Sequence, residues 1–200
     1  MIKFTIVTIT YNAADVFMRT ADSVARQTYA AVEHLIIDGA SSDGTQNMAE
    51  EYKKASDAAC NGHEVRIVSE PDKGLYDAMN KGRRLATGDY VCFLNAGDFF
   101  PSADTLVVIA ANARIEECSS EGKPLPGVLY GDTDWVDNDG NYMSRRRLTP
   151  PEKLTWRSFR HGMLVCHQAF YARTDLAQKV PYDLRYRFSA DVDWCIRIMK

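Results

Sequence analysis

The sequence predicts an α/β protein with a mostly parallel central sheet flanked by helices, followed by a smaller mixed region. Three observations carry this expectation. Apolar, β-branched runs alternate with stretches of helical periodicity as far as residue 118. Each of the first runs ends in a short polar segment that opens the next helix. After residue 119 this regular alternation gives way to polar loops, a hairpin signal and shorter strands.

Residues 2–9, rich in Ile, Val and Thr, read as a buried first strand. Val16, Phe17, Ala21, Val24 and Ala25 place helical spacing on residues 15–27, with Asn12 as a cap. Residues 33–37 form a second strand, and Asp43 starts a helix running to about Lys54. A short third strand at 65–68, a helix at 75–86 and a fourth strand at 90–94 follow, and then a helix from about 103 to 118. The right-handed crossover rule sets the hand of each β-α-β unit. Residues 119–127 are a polar loop, 128–132 a strand, and Asp137-Asn138-Asp139-Gly140 a hairpin turn. Residues 163–172 read as another strand, and residues 191–200 begin an amphipathic helix. The expected organisation is one domain, with a nucleotide-binding half at 1–118 and an acceptor-side half at 119–200. The latter stops inside a helix without a cap, as a truncated C-terminus would.

A chain of 200 residues, 46% hydrophobic and 26% charged, suits a soluble globular domain. The net charge of −3 argues against a general nucleic-acid binder. No apolar stretch approaches the ~18 residues of a membrane span, and the N-terminus lacks a signal peptide's long apolar region. Five widely spaced cysteines with no C-x-x-C pair argue against a disulfide scaffold or zinc site. Cys92 and Cys166 read as small buried hydrophobes, and a reducing cytoplasm is expected.

The chemistry concentrates where strands end, since ligands of open α/β sheets bind outside the carboxyl ends of the strands. The first strand ends in Thr8-Ile9-Thr10-Tyr11-Asn12, groups that can stack on and hydrogen-bond a base, or simply cap a helix. The second runs into Asp38-Gly39-Ala40-Ser41-Ser42-Asp43-Gly44-Thr45. Asp38 there is either a reader of a base or ribose or a turn residue, and Asp43 either a pocket residue or a helix N-cap. A charged loop, residues 69–74, leads into a helix carrying Tyr76, Asp77 and Asn80, and a helix N-terminus beside Lys73 suits a phosphate. The fourth strand ends in Leu94-Asn95-Ala96-Gly97-Asp98, where a carboxylate can hold Mg²⁺ or Mn²⁺ bridging a diphosphate, or form a plain turn.

In this order the motifs resemble the inverting nucleotide-sugar glycosyltransferases of glycosyltransferase family 2, with the GT-A fold. To them add Ala86-Thr87-Gly88-Asp89-Tyr90, and the resemblance covers essentially the whole chain. It implies that Asp38 reads the uracil or ribose, that Thr10, Tyr11 and Asn12 line the same pocket with Asp43 beside it, and that Asp77 and Asn80 lie near the donor diphosphate and sugar. Residues 95–98 take the place of the family's metal-binding Asp-Ala-Asp-Asp, with Asn95 first, Gly97 third and Asp98 keeping its carboxylate. Asp98 with Asn95 would then form a weak Mg²⁺ or Mn²⁺ site completed by the donor diphosphate. Ser189-Ala190-Asp191-Val192-Asp193-Trp194 matches the family's Glu-Asp-x-Asp region. This makes Asp191 the catalytic base, with a helix N-cap as the alternative role. Residues 162–168 resemble a segment in which His167 would contact the diphosphate or the acceptor, or else be satisfied within a sheet.

The activity so implied is inverting transfer of a sugar from a nucleotide diphosphate donor, UDP-linked, to an acceptor hydroxyl. The acceptor would be a saccharide or lipid-linked saccharide of a surface polysaccharide. Arg145, Arg146 and Arg147 would face a diphospholipid acceptor or an acidic membrane surface at its inner face, or line a solvated strand. Two alternatives stand beside this reading: a sugar nucleotidyltransferase, and a degenerate nucleotide-sugar-binding module without activity.

Overall fold

The computed structural model describes residues 1–200, the side chains of residues 116 and 119 excepted. The first half is built as the alternation predicts. Strands β1 (Phe4–Thr10), β2 (Val32–Asp38), β3 (His63–Ser69) and β4 (Tyr90–Phe93) are separated by helices α1 (Ala14–Ala25), α2 (Thr45–Ala59) and α3 (Leu75–Leu85). These strands pair in parallel in the order β3-β2-β1-β4. The chain thus builds outward from β1 in one direction and then returns to its other side, which puts a topological switch point between β1 and β4.

Every residue of β1 and β2 is buried. Phe17, Ala21, Ala49 and Tyr52 of α1 and α2 cover Ile36 and Val65 on one face. Ala78 and Met79 of α3 cover Val7, Ile9, Leu35 and Ile37 on the other. Most buried polar groups of these strands are paired, as low polarity demands. Thr5 Oγ1 donates to Glu33 Oε2 at 2.6 Å, and His34 sits between Thr8 Oγ1 at 2.9 Å and Tyr52 Oη at 2.8 Å.

Three expectations need correction, two beyond β4 and one at the start of α1. The helix expected over 103–118 is two, α4 (Thr105–Asn112) and α5 (Ile115–Ser120), broken where Arg114 takes a left-handed φ of +51°. The strand expected over 163–172 is confined to β8 (Phe170–Arg173), because 167–169 form a 3₁₀ turn. Val165 is buried without any ladder. Asn12 does not cap α1. It adopts φ +47°, and the free N–H groups of Ala13 and Ala14 are taken across the fold by Thr45 Oγ1 at 3.0 Å and Asp43 Oδ2 at 2.9 Å.

Strand β8 pairs antiparallel with β4 and with β5 (Val128–Tyr130), completing a six-stranded sheet. The expected hairpin forms β6 (Asp134–Val136) and β7 (Tyr142–Arg145), a separate two-stranded sheet. Helices α6 (Thr174–Lys179) and α7 (Ala190–Ile198) complete the chain. Trp194 of α7 packs against Phe93 and Phe170 and stacks on Tyr182 at 4.8 Å, tying α7 to the sheet. Among the described residues no helix is long and apolar enough to cross a membrane.

Candidate active site

The parallel register brings the strand ends level. Thr10 pairs with Asp38, and Asp38 with Ser69, in one row along the carboxyl edge. The chain after β4 stays beside β1, with Ala96 N–H donating to the Ile9 carbonyl at 3.0 Å. Residues 95–98 therefore stand next to Thr10 across the switch point.

Asp38 is wholly buried. Its carboxylate accepts from Ser41 Oγ at 2.5 Å, Ser41 N–H at 3.0 Å and Ser69 Oγ at 2.5 Å. It therefore braces the turn after β2 against the end of β3 from below the cleft. Tyr11 instead lies open above it, 66% exposed. Gly39 leaves room for this. A β-carbon there would stand 2.8 Å from Asp72 Oδ2 and 3.1 Å from the Tyr11 ring, so Tyr11 and Asp72 converge over a bare backbone. Thr10 Oγ1 is buried with no hydrogen-bond partner among the described residues. Asn12 holds the loop, its Oδ1 accepting from Ser42 N–H at 2.9 Å. Asp43 is exposed, and its oxygens serve Ala14 N–H, Thr45 N–H and Thr45 Oγ1. These hydrogen bonds lower its pKa, and in this way it ties the starts of α1 and α2 together.

On α3, Asp77 is half-buried in the first turn and accepts from Lys73 N–H at 3.0 Å. Asn80 is turned to the protein. Its amide donates to the Tyr182 carbonyl at 3.0 Å and accepts from Tyr182 N–H and Arg83 Nε, both at 2.8 Å. The structure does not bring Asn80 to the cleft, since its contacts are with Tyr182, on the segment leading to α7, and with Arg83 of its own helix.

The centre is a connected polar chain. Asp191 lies in the first turn of α7, whose N-cap position is taken by Ser189 at φ +60°. Its Oδ1 accepts from Tyr76 Oη at 3.3 Å, and its Oδ2 meets His167 Nδ1 at 3.1 Å. His167 Nε2 faces Asn95 Nδ2 at 3.1 Å. With that amide nitrogen as donor, the ring proton belongs on Nδ1 and is given to Asp191. Burial raises the Asp191 pKa, but the hydrogen bond and charge of His167 and nearby backbone N–H groups outweigh it, leaving the carboxyl below its ordinary value. His167 opens the 3₁₀ turn and is not part of a strand.

Asp98 is the opposite case. Burial drives its pKa upward, only partly offset by Gln168, whose Nε2 donates to Oδ2 at 3.0 Å, and by His167. Between Asn95 and Asp98 the chain turns tightly about Thr20, whose Oγ1 accepts from Gly97 N–H at 2.9 Å and donates to the Asp98 carbonyl at 2.7 Å. Gly97 has φ +100°, a conformation that favours glycine. Among the described residues no cluster of three His, Cys, Asp or Glu side chains is placed to hold a metal. The Asp98 carboxylate does have two buried carbonyl oxygens in the same network, Asn95 Oδ1 and Gln168 Oε1, without hydrogen-bond partners. Such hard oxygen donors fit Mg²⁺ or Mn²⁺.

Three residues of this site carry no role from sequence reasoning: Asp72, Tyr76 and Gln168. Asp72 and Tyr76 lie in the motif around Gly74, and Gln168 follows His167, so motif membership was the available signal. Of the arginine run, Arg146 is tied to the carbonyls of Leu148 at 3.2 Å and Met163 at 2.5 Å, while Arg145 and Arg147 are exposed.

A PGL/p-HBAD biosynthesis glycosyltransferase of Mycobacterium tuberculosis is 35% identical over 195 residues, spanning 97% of this chain and 68% of the relative. The amylovoran biosynthesis glycosyltransferase AmsB of Erwinia amylovora is 29% identical over 204 residues, spanning 100% of this chain and 64% of AmsB. Among solved structures, S. aureus TarS 1–349 in complex with UDP superposes with a TM-score of 0.74 at 18% identity, covering 98% of this chain and 55% of TarS. A Pyrobaculum calidifontis mannosyltransferase in complex with GDP-Man and Mn²⁺ gives 0.61 at 19% identity, covering 91% and 48%. The chain thus has the GT-A fold while spanning about half the length of these two structures. The model of the glycosyl transferase family 2 matches residues 5–179, and with these relatives it shows that the chain belongs to that family of glycosyltransferases.

Proposed function

We propose that this family member transfers a sugar, with inversion, from a nucleoside diphosphate donor to an acceptor hydroxyl. UDP is the nucleotide, and the products are glycolipid or surface polysaccharide. The observation that carries the reading is the Asp191–His167–Asn95 chain, which joins an ionised carboxylate to the β4 turn at the switch point. Inversion requires one base. Asp191 takes the proton of the acceptor hydroxyl as its oxygen attacks the anomeric carbon, and the bond from that carbon to the diphosphate oxygen breaks. A lowered pKa keeps Asp191 ready to accept that proton at neutral pH. Tyr11, Asp72 and Thr10 take the base and ribose over Gly39, with Asp38 fixing the turn beneath them. The N-terminus of α3, with Lys73 and Asp77, faces the diphosphate.

The leaving diphosphate gains charge in the transition state, and a bound Mg²⁺ or Mn²⁺ would supply compensating charge there. Asp98, Asn95 and Gln168 are the residues that would hold it. In support of the substrate class, one relative is named for PGL/p-HBAD biosynthesis and another for amylovoran biosynthesis, and TarS was solved with UDP. Family membership favours this reading over nucleotidyl transfer.

A thermal-shift screen of UDP-, GDP- and dTDP-sugars, with and without Mn²⁺, tests the donor assignment, and Asp191→Asn tests the base. UDP-sugars are expected to stabilise wild type and variant alike. Turnover of the variant should fall by about 10²-fold or more. Absence of stabilisation by any nucleotide would overturn the reading, and a fully active variant would remove Asp191 from the base role. Donor binding by the wild type without any transfer or hydrolysis would instead mark a binding module.

A further inference from the structure

The hairpin β6–β7 stands away from the main sheet and is fastened at both ends. At its turn, Arg19 Nη2 donates to the Asn138 carbonyl, and the Arg19 guanidinium lies 5.9 Å over the Phe99 ring. Gly140, at φ +87°, brings backbone against the same two groups: a β-carbon there would lie 3.6 Å from Phe99 and 3.7 Å from Arg19. Just past β7, Arg146 is held by the carbonyls of Leu148 and Met163. The strands between these ties are largely exposed. Under the hairpin lies a cavity of about 470 Å³.

The lining divides by chemistry. Phe99, Pro101, Ile109, Trp135, Val136 and Tyr171 give the larger, apolar part of the lining, Asp132, Asp134 and Arg146 add charged groups beside it, and Asp98 and Gln168 are shared with the reaction centre. Trp135 lies in β6 with 60% of its surface exposed, an aromatic face left without a covering partner chain segment. An apolar cavity carrying a few polar groups is the usual form of a small-molecule site. The cavity adjoins the donor diphosphate position through Asp98 and Gln168, but it does not include Asp191, His167 or Tyr11.

We propose that this cavity is an aglycone subsite: it binds an apolar, ring-bearing group carried by the acceptor, stacked on Trp135, so that the acceptor hydroxyl is presented past Asp98 to Asp191. The proposal rests on the transfer reaction proposed above. An acceptor consisting of sugar alone leaves the apolar walls wet, whereas an aryl group fills them with its own area. Specificity of this kind resides in the hairpin and in the loop after β4, and the nucleotide pocket plays no part in it.

Phenyl and methyl glucoside are the probes, titrated into the whole chain with and without saturating UDP. Binding is read by saturation transfer to the ligand protons. Phenyl glucoside is expected to bind about tenfold tighter than methyl glucoside, with the strongest saturation on its ring protons. Val136→Trp, on the exposed hairpin, and Ile109→Trp, on α4, each fill the cavity and should abolish that preference while the thermal shift with UDP stays at the wild-type value. Equal binding of the two glucosides, or a preference that survives both substitutions, would overturn the proposal. Loss of UDP binding in the wild type would overturn the donor assignment, and the aryl preference read without UDP would still decide the subsite.

Discussion

His167 is the residue on which the most depends for its size. It touches the base through Nδ1 and the β4 turn through Nε2, so one ring sets the position of a carboxylate and the state of its proton. Both His167 and Asp191 side chains are 13% exposed. Removal of the ring leaves Asp191 to its burial, which pushes a carboxyl upward. For His167→Ala we expect kcat to fall about tenfold or more and the acidic limb of the kcat/KM profile to move to higher pH, with UDP affinity retained. His167→Asn, which returns an N–H near the Nδ1 position, should recover part of the loss. An unmoved acidic limb in the alanine variant would show that His167 does not govern the base. The same scale shows what a motif conveys and what it leaves out. Asp38, Asp191 and Asp98 could be picked out as carboxylates at strand and helix ends. That Asp38 lies under the cleft while Asp72 flanks it depends on Gly39, whose missing side chain lets the next loop close in.

At the scale of elements, the approach of α3 to the sheet decides how the cleft is shaped. Gly82 lies in the middle of α3, where a β-carbon would come 2.4 Å from Val7 Cγ1 of β1. Two effects of Gly82→Ala oppose each other. Alanine improves helix propensity by about 1 kcal/mol. Forcing a methyl into the closed contact costs about 1–3 kcal/mol and pushes α3 off β1. The contact is with buried, β-branched Val7, which has little freedom to yield, so the clash should win. Chemical denaturation is expected to show net destabilisation of up to about 2 kcal/mol, and a variant as stable as the wild type or more so would contradict it. The elements of the first half were legible because each one's signal is local: a buried run, a capped start, a 3.6-residue period. Those of the second half were not. The apolar stretch at 163–166 reads like a strand, yet it buries Val165 through bends and a 3₁₀ turn. Asn80 reads like a pocket residue in the motif around it. Its partner Tyr182 lies 102 positions away, a distance across which no periodicity carries information.

For the whole molecule, acid stability is governed by groups the fold holds in one protonation state. His34 is wholly buried between Thr8 and Tyr52, and burial, with a smaller contribution from His63, pushes its pKa down from 6.5 to about 3. The folded protein therefore keeps it neutral, while the unfolded chain takes up a proton below 6.5. Between pH 6.5 and 3 the unfolded state binds more protons, so stability falls as pH falls, approaching about 1.4 kcal/mol per pH unit well below 6.5. Glu33 and Asp191 act in a lower window. Burial opposes their charged forms, but hydrogen bonds from Thr5, Thr87 and Arg66 in one case and His167 in the other leave both pKa values lowered. Their contribution is present above the ordinary carboxylate range and is lost below it. Asp98, raised by burial, has the reverse sign in that range and favours the folded state as it protonates. The stretch from pH 6 to 5 lies below the unfolded pKa of His34 and above the window of Glu33 and Asp191. Urea denaturation across it should show the wild type losing about 1 kcal/mol. His34→Gln keeps an amide between Thr8 and Tyr52 but cannot titrate. It should be less stable at pH 8 and should lose markedly less than the wild type from pH 6 to 5. Parallel losses in the two proteins would place the acid sensitivity elsewhere than in this buried ring.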